Sequence, residues 1–116
     1  MFALLITAIS CATSSAQTVT VGSKKFTESY VLGEVIKQTL KVAGVDATHK
    51  QGLGATGIVW AALTSGQISV YPEYSGTIAE ELLKKPGIGE EEMRSLLQKQ
   101  GIGITKFLGF NDTYTL

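Results

Sequence analysis

Thr18-Val19-Thr20-Val21-Gly22 alternates β-branched and small residues, and a few positions later the apolar period changes from two to nearly four. Val31, Leu32, Val35, Ile36, Leu40 and Ala43 fall on one side of a helix that Gly44 ends, with Thr27 placed to cap its start. That switch of period, strand to amphipathic helix, recurs along the chain and limits the folds available to it. Val45 to Lys50 alternates again as a half-polar strand near an edge, and Gly57 to Leu63 reads as a short helix packing through Ile58, Trp60 and Ala61 to Leu63. Ile68 to Tyr71 is a third strand. Helices are expected at Thr77–Leu83, which stops before Pro86, and at Glu90–Gln100, where Met93, Leu96 and Leu97 share a face. Strand alternating with helix predicts an α/β fold with a mainly parallel sheet.

In such sheets the turns after the strands collect at one end, and ligands bind in the crevice there. Val70-Tyr71-Pro72-Glu73-Tyr74 carries two rings and a carboxylate out of the third strand. Tyr71 can belong to the strand, whereas Tyr74 lies beyond a proline that cannot donate to a ladder. Lys24, Tyr74, Thr77, Asp112 and Tyr114 all sit on turns after strands. Tyrosine faces attract a cation that has no hydrogen-bond donors, and a nearby carboxylate adds to that attraction. A lysine and a threonine hydroxyl suit a carboxylate. Together they describe a site for a zwitterion with a quaternary ammonium head. On the residues alone, scattered surface tyrosines and a solvated lysine remain the commoner alternative.

Gly52-Leu53-Gly54-Ala55-Thr56-Gly57 is a literal G-x-G-x-x-G between a strand and a helix, with Glu73 near the distance of a ribose-binding acid. A dinucleotide-binding enzyme domain is the alternative it raises. The preceding strand, Val45 to Lys50, is too polar for the buried first strand of such a unit, and Glu73 sits in a turn. The other reading is a tight turn that lets a helix N-terminus approach the sheet or a ligand. Hydrolase motifs G-x-S-x-G and H-E-x-x-H do not occur, and the single histidine, His49, is expected at the surface of a polar strand.

Ten basic and ten acidic residues among 116 offer no electrostatic footprint for nucleic acid or an anionic membrane. The first residues, Met1 to Ile9, are apolar and uncharged, too short to span a bilayer, which needs roughly 20 apolar residues. With Ser14-x-Ala16 following, residues 1–16 read as a secretory signal peptide cut before Gln17, although its basic leader is missing. A buried N-terminal strand or helix is the alternative. Cys11, the only cysteine, is lost on that cleavage; as the weaker possibility, Ala8-Ile9-Ser10-Cys11 is a lipobox that anchors the chain. Tyr114-Thr115-Leu116 begins a strand that the chain does not complete, which predicts a piece of a larger protein.

Four blocks then stand in order: Val21 to Glu28, Gly52 to Thr56, Tyr71 to Thr77, and Leu108 to Tyr114. Over residues 18 to 116 they resemble the signature blocks of the glycine betaine/choline/carnitine-binding proteins of osmoprotectant ABC importers. The resemblance implies a type II periplasmic-binding-protein fold, with residues 17–116 as the N-terminal part of its first lobe. It implies an exported binding protein, not an enzyme, that uses no cofactor; within binding proteins, one for an amino acid or other small cation is the alternative. Its partners would be a quaternary ammonium ligand and a membrane permease with its ATPase. By the same resemblance, Lys24 and Thr77 grip the ligand carboxylate, Tyr74 and Tyr114 are walls of an aromatic cage, and Asp112 stands near the ammonium. Tyr71 is then packing and Glu73 turn structure. Ala55 departs from the family, which commonly has glycine there, and the family's second lobe, with further tyrosines and an arginine, is not in this chain.

Overall fold

Between β1 (Val19–Gly22) and β2 (Ala47–Lys50) the ladder is parallel, with Val19 opposite Ala47 and Val21 opposite His49. The structure is a computed structural model that describes residues 17–109. On its other side β1 meets Val70 through one parallel bridge: the Gly22 N–H donates to the Val70 carbonyl at 2.8 Å and the Ser69 N–H to the Thr20 carbonyl at 2.7 Å. β1 is therefore central, and the spatial order is β2, β1, then the Val70 segment. The third strand expected at Ile68–Tyr71 is reduced to that bridge, because Pro72 has no N–H with which to extend it.

Around this small sheet run α1 (Thr27–Val42), α2 (Thr56–Thr64), α3 (Ser75–Thr77), which continues as a π-helical turn over Ile78–Leu82, and α4 (Glu90–Gln98). The helices begin and end for local reasons. Thr27 is the first helical residue of α1 and not its cap; Phe26 holds the cap position in extended conformation. After α1, Gly44 at φ 83° lets its own N–H reach the Lys41 carbonyl while the Val45 N–H reaches Leu40, the paired bonds of a Schellman motif. The same pair of bonds closes α2 at Gly66 and α4 at Gly101.

Two apolar clusters lie under these helices. Val59, Ala62 and Ile68 are buried with Leu53, Leu63 and Tyr71 against them, so Tyr71 does pack as expected. Ile78, Ala79, Met93 and Leu97 form the second, joined by Trp60, Leu82, Leu83, Ile88, Ile102 and Ile104. Within α2 the buried residues are Val59 and Ala62, whereas Ile58 is exposed. On α1, Leu32, Ile36 and Leu40 turn half inward, and Val31 and Val35 are more than half exposed. Periodicity finds the helix but cannot say which of two apolar stripes faces the sheet.

Candidate functional site

Lys24 stands two residues beyond the buried end of β1 and is itself 8% exposed, not a solvated lysine. The Lys24 N–H donates to Ser29 Oγ at 2.8 Å, which ties the turn to the first turn of α1. The Lys24 ammonium donates to Glu73 Oε1 at 2.6 Å and to Thr56 Oγ1 at 3.3 Å, with the Phe26 ring centre 5.6 Å away. Three segments that are distant in sequence thus meet at one nitrogen: the loop after β1, the N-terminus of α2, and the turn after Val70. The loop Gly52 to Thr56 is held there by backbone bonds, Leu53 N–H to the Ser23 carbonyl at 3.0 Å and Lys25 N–H to the Gly54 carbonyl at 3.1 Å. Gly54 at φ 145° lies so close to Ile58 that an added Cβ would meet its Cδ1 at 2.7 Å. A shallow cleft lies here between Lys24, Lys25, Phe26 and Gly54 to Thr56.

Glu73 does more than shape a turn. Its side chain is 5% exposed, and Oε1 accepts from both the Lys24 ammonium and the Tyr74 N–H, the latter at 3.0 Å. Oε2 is buried and, among the described residues, has no hydrogen-bond partner. Burial, then the charge on Glu73 and hydrogen bonding toward its carboxylate, push the Tyr71 hydroxyl far above the usual phenol range, so that phenol stays neutral. Tyr74 caps α3, and its hydroxyl is buried; Thr77 is the last residue of α3, half-buried, one turn further on. Of the expected site residues, the fold brings Lys24 to the Tyr74–Thr77 segment by way of Glu73. Asp112 and Tyr114 lie outside the described residues, as do residues 1–16 with Cys11.

A second polar cluster lies on the β2 side. His49 is not at the surface: its side chain is 2% exposed, against α1 at Gly33, where an added Cβ would meet Nε2 at 2.4 Å. His49 Nδ1 stands 3.3 Å from Glu34 Oε2, and Nε2 stands 2.8 Å from Ser23 Oγ. An ionised carboxylate only accepts, so Nδ1 carries a proton, and in the neutral ring Nε2 accepts from the serine. The Lys37 ammonium at 2.6 Å and the Gln38 amide hold the Glu34 carboxyl down to about 2, with His49 adding a smaller share and partial burial opposing. Ser23 is fully buried, so this carboxylate–imidazole–hydroxyl line holds the Lys24 loop in place and offers no nucleophile to a substrate.

The glycine turn does stand between β2 and α2, as its spacing suggests. Gly57, however, lies in α2 with open space where a Cβ would be, so it does not serve the close helix–strand packing of a dinucleotide fingerprint. Glu73 is taken up by Lys24.

Sequence reasoning missed Glu73 and Thr56 as members of the site. The signal was their position: Glu73 follows the Val70 segment and Thr56 opens α2 after β2, and both segments flank β1, which becomes visible only with the strand order.

Residues 17–116 match the family described as the substrate binding domain of ABC-type glycine betaine transport system. The glycine betaine-binding protein YehZ of Escherichia coli is 42% identical over 73 residues, covering 63% of this chain and 24% of that protein. A glycine-betaine-binding protein of Pseudomonas aeruginosa is 34% identical over 110 residues, 89% of this chain and 34% of its own length. The Helicobacter pylori ergothioneine transport permease/ergothioneine binding protein EgtU is 31% identical over 101 residues, 83% of this chain and 18% of that protein. Among solved structures, apo YehZ from Escherichia coli superposes with a TM-score of 0.65 at 37% identity, over 72% of this chain and 32% of that one. The chain spans about a third or less of the relatives it matches. With the family matched over nearly its whole length, the chain belongs to the substrate-binding domains of ABC-type glycine betaine transport systems.

Proposed function

We propose that this chain is the first-lobe part of the exported substrate-binding component of an osmoprotectant ABC importer, and that it is not an enzyme. It captures a quaternary ammonium solute, glycine betaine, choline or carnitine, and delivers it to a membrane permease driven by its ATPase. The observation that carries the reading is the meeting of Lys24 with the turn that leads into Tyr74 and Thr77, at the carboxyl end of the central strand. That is where open α/β folds bind their ligands. Tyr74 supplies a ring face for the ammonium, with Tyr114 as a second wall and Asp112 an acid beside it. Lys24 and Thr77 hold the ligand carboxylate.

Removal of residues 1–16 on export agrees with the family match beginning at residue 17. N-terminal sequencing of the exported protein should then start at Gln17.

The binding test is titration of the chain, restored to family length, with glycine betaine, choline and ergothioneine. Ergothioneine is included because it joins a trimethylammonium to a carboxylate and is named in one relative. Tyr74→Ala and Tyr114→Ala should each weaken binding by tenfold or more, since a desolvated cation–π contact contributes about 2 kcal/mol. Tyr→Phe should cost less, because the ring face is kept. Affinity unchanged by both alanine variants for every ligand would sink the cage.

A further inference from the structure

Lys24 meets a ligand carboxylate with a counter-ion already in place. Its ammonium already spends two donors, on Glu73 Oε1 at 2.6 Å and Thr56 Oγ1 at 3.3 Å, and both ionic side chains are at least nine-tenths buried. A pair this close and this dry presents nearly zero net charge to a ligand.

We infer that Glu73 is the specificity-determining residue of the site: by neutralising Lys24 it lets the cleft accept a bare quaternary ammonium cation as well as a carboxylate-bearing zwitterion. This rests on the reading of the site as one for quaternary ammonium ligands. The physical step is a charge balance. Without the negative charge on Glu73, Lys24 becomes an uncompensated, largely buried cation. A ligand carboxylate restores the missing counter-charge and gains, whereas a cation lacking a carboxylate meets a like charge and loses. Without Lys24 the sign reverses, because the stranded Glu73 carboxylate repels the ligand carboxylate and attracts the ammonium.

The test is NMR titration, with glycine betaine and choline as probes, of the chain restored to family length with its second lobe, which reads binding into the millimolar range. For Glu73→Gln, an isosteric change that keeps a hydrogen-bonding group beside Lys24, the ratio of betaine affinity to choline affinity should rise about tenfold or more over wild type. A ratio that stays put, or falls, overturns the inference while both ligands still bind. If wild type binds neither ligand, it is the quaternary ammonium reading itself that fails. Should Glu73→Gln not fold, Lys24→Met with Glu73→Gln removes both charges together and strands neither. Its ratio should then lie closer to wild type than that of Lys24→Met alone. A ratio as low as that of the single lysine variant would show that Lys24 acts independently of Glu73.

Discussion

Consecutive residues, Ser23 and Lys24, anchor two ion-paired clusters on opposite sides of β1, and the clusters are built to different ends. On the β2 side, Glu34, Lys37 and His49 share a carboxylate that is 34% exposed, and both of its oxygens are occupied by Lys37, Gln38 and His49. On the Val70 side, Lys24 and Glu73 are 10% and 5% exposed, and one carboxylate oxygen is left without a partner among the described residues. Water screens the first cluster, so it can brace the loop at little electrostatic cost. The second carries a desolvation penalty that a surface pair avoids. Buried, incompletely satisfied charges cluster at functional sites, in keeping with the site proposed around Lys24, and the braced cluster stands behind that arrangement.

The largest effect should come from breaking the buried pair on one side only. Lys24→Met leaves the Glu73 carboxylate buried and unpaired, and removing one partner of a buried pair typically costs about 3–5 kcal/mol. Lys24→Met together with Glu73→Gln should recover most of that loss, because no charge is left stranded. Denaturant unfolding of the three chains measures it. Equal destabilisation of the single and double variants would mean that the pair is no more demanding than its exposed counterpart.

Next in size is the contact that seats His49. Alanine at Gly33 would gain up to about 1 kcal/mol of helix propensity in an open helix. Here its Cβ would stand 2.4 Å from His49 Nε2, so the ring must move and release Ser23. Gly33→Ala should therefore be net destabilising, by about 1–3 kcal/mol as for other overpacked sites. Adding His49→Ala should make Gly33→Ala neutral or better. A stabilising Gly33→Ala in the wild-type background would show that the ring does not need that seat.

Much of this arrangement was legible beforehand, and the failures have physical causes. The alternation of period placed β1, α1, β2, α2 and α4 to within a few residues, because amphipathic spacing and helix-ending glycines are local signals. Thr27 failed as a cap because the loop turns one residue earlier, and Ser29, not Thr27, takes a loop N–H. His49 misled because β2 is polar, as suits a strand that among the described residues pairs only with β1. Its burial was written instead in Gly33, a glycine in mid-helix whose missing side chain leaves room for a ring. Lys24, Tyr74 and Thr77 could be singled out as residues on turns after strands, and the family resemblance gave them roles. Glu73 stands on the same turn, but its role could not be read there, since its pairing with Lys24 is set by strand order, a property of the whole fold.

The smallest effect concerns the exposed cluster and tests its difference from the buried one through pH. Glu34 is held down to about 2 in the folded chain, chiefly by Lys37 and Gln38, from an ordinary value of 4.5. A carboxyl whose folded value is depressed binds fewer protons folded than unfolded over that interval. Its charge therefore contributes to stability in full above pH 4.5, and that contribution drains away as the pH falls toward about 2. Glu34→Gln lacks the ionic contribution at every pH. Wild type should accordingly melt above Glu34→Gln at pH 7, and the gap should narrow steadily between about pH 4.5 and pH 2. Salt should narrow it too, because the group is partly solvated and screening reaches it. Melting curves of the two chains across that range, at low and high salt, provide the check. A gap that keeps its size at low pH would mean that Glu34 braces the loop as a neutral hydrogen-bonding group, and the contrast between a screened brace and a dry, charged site would lose its electrostatic half.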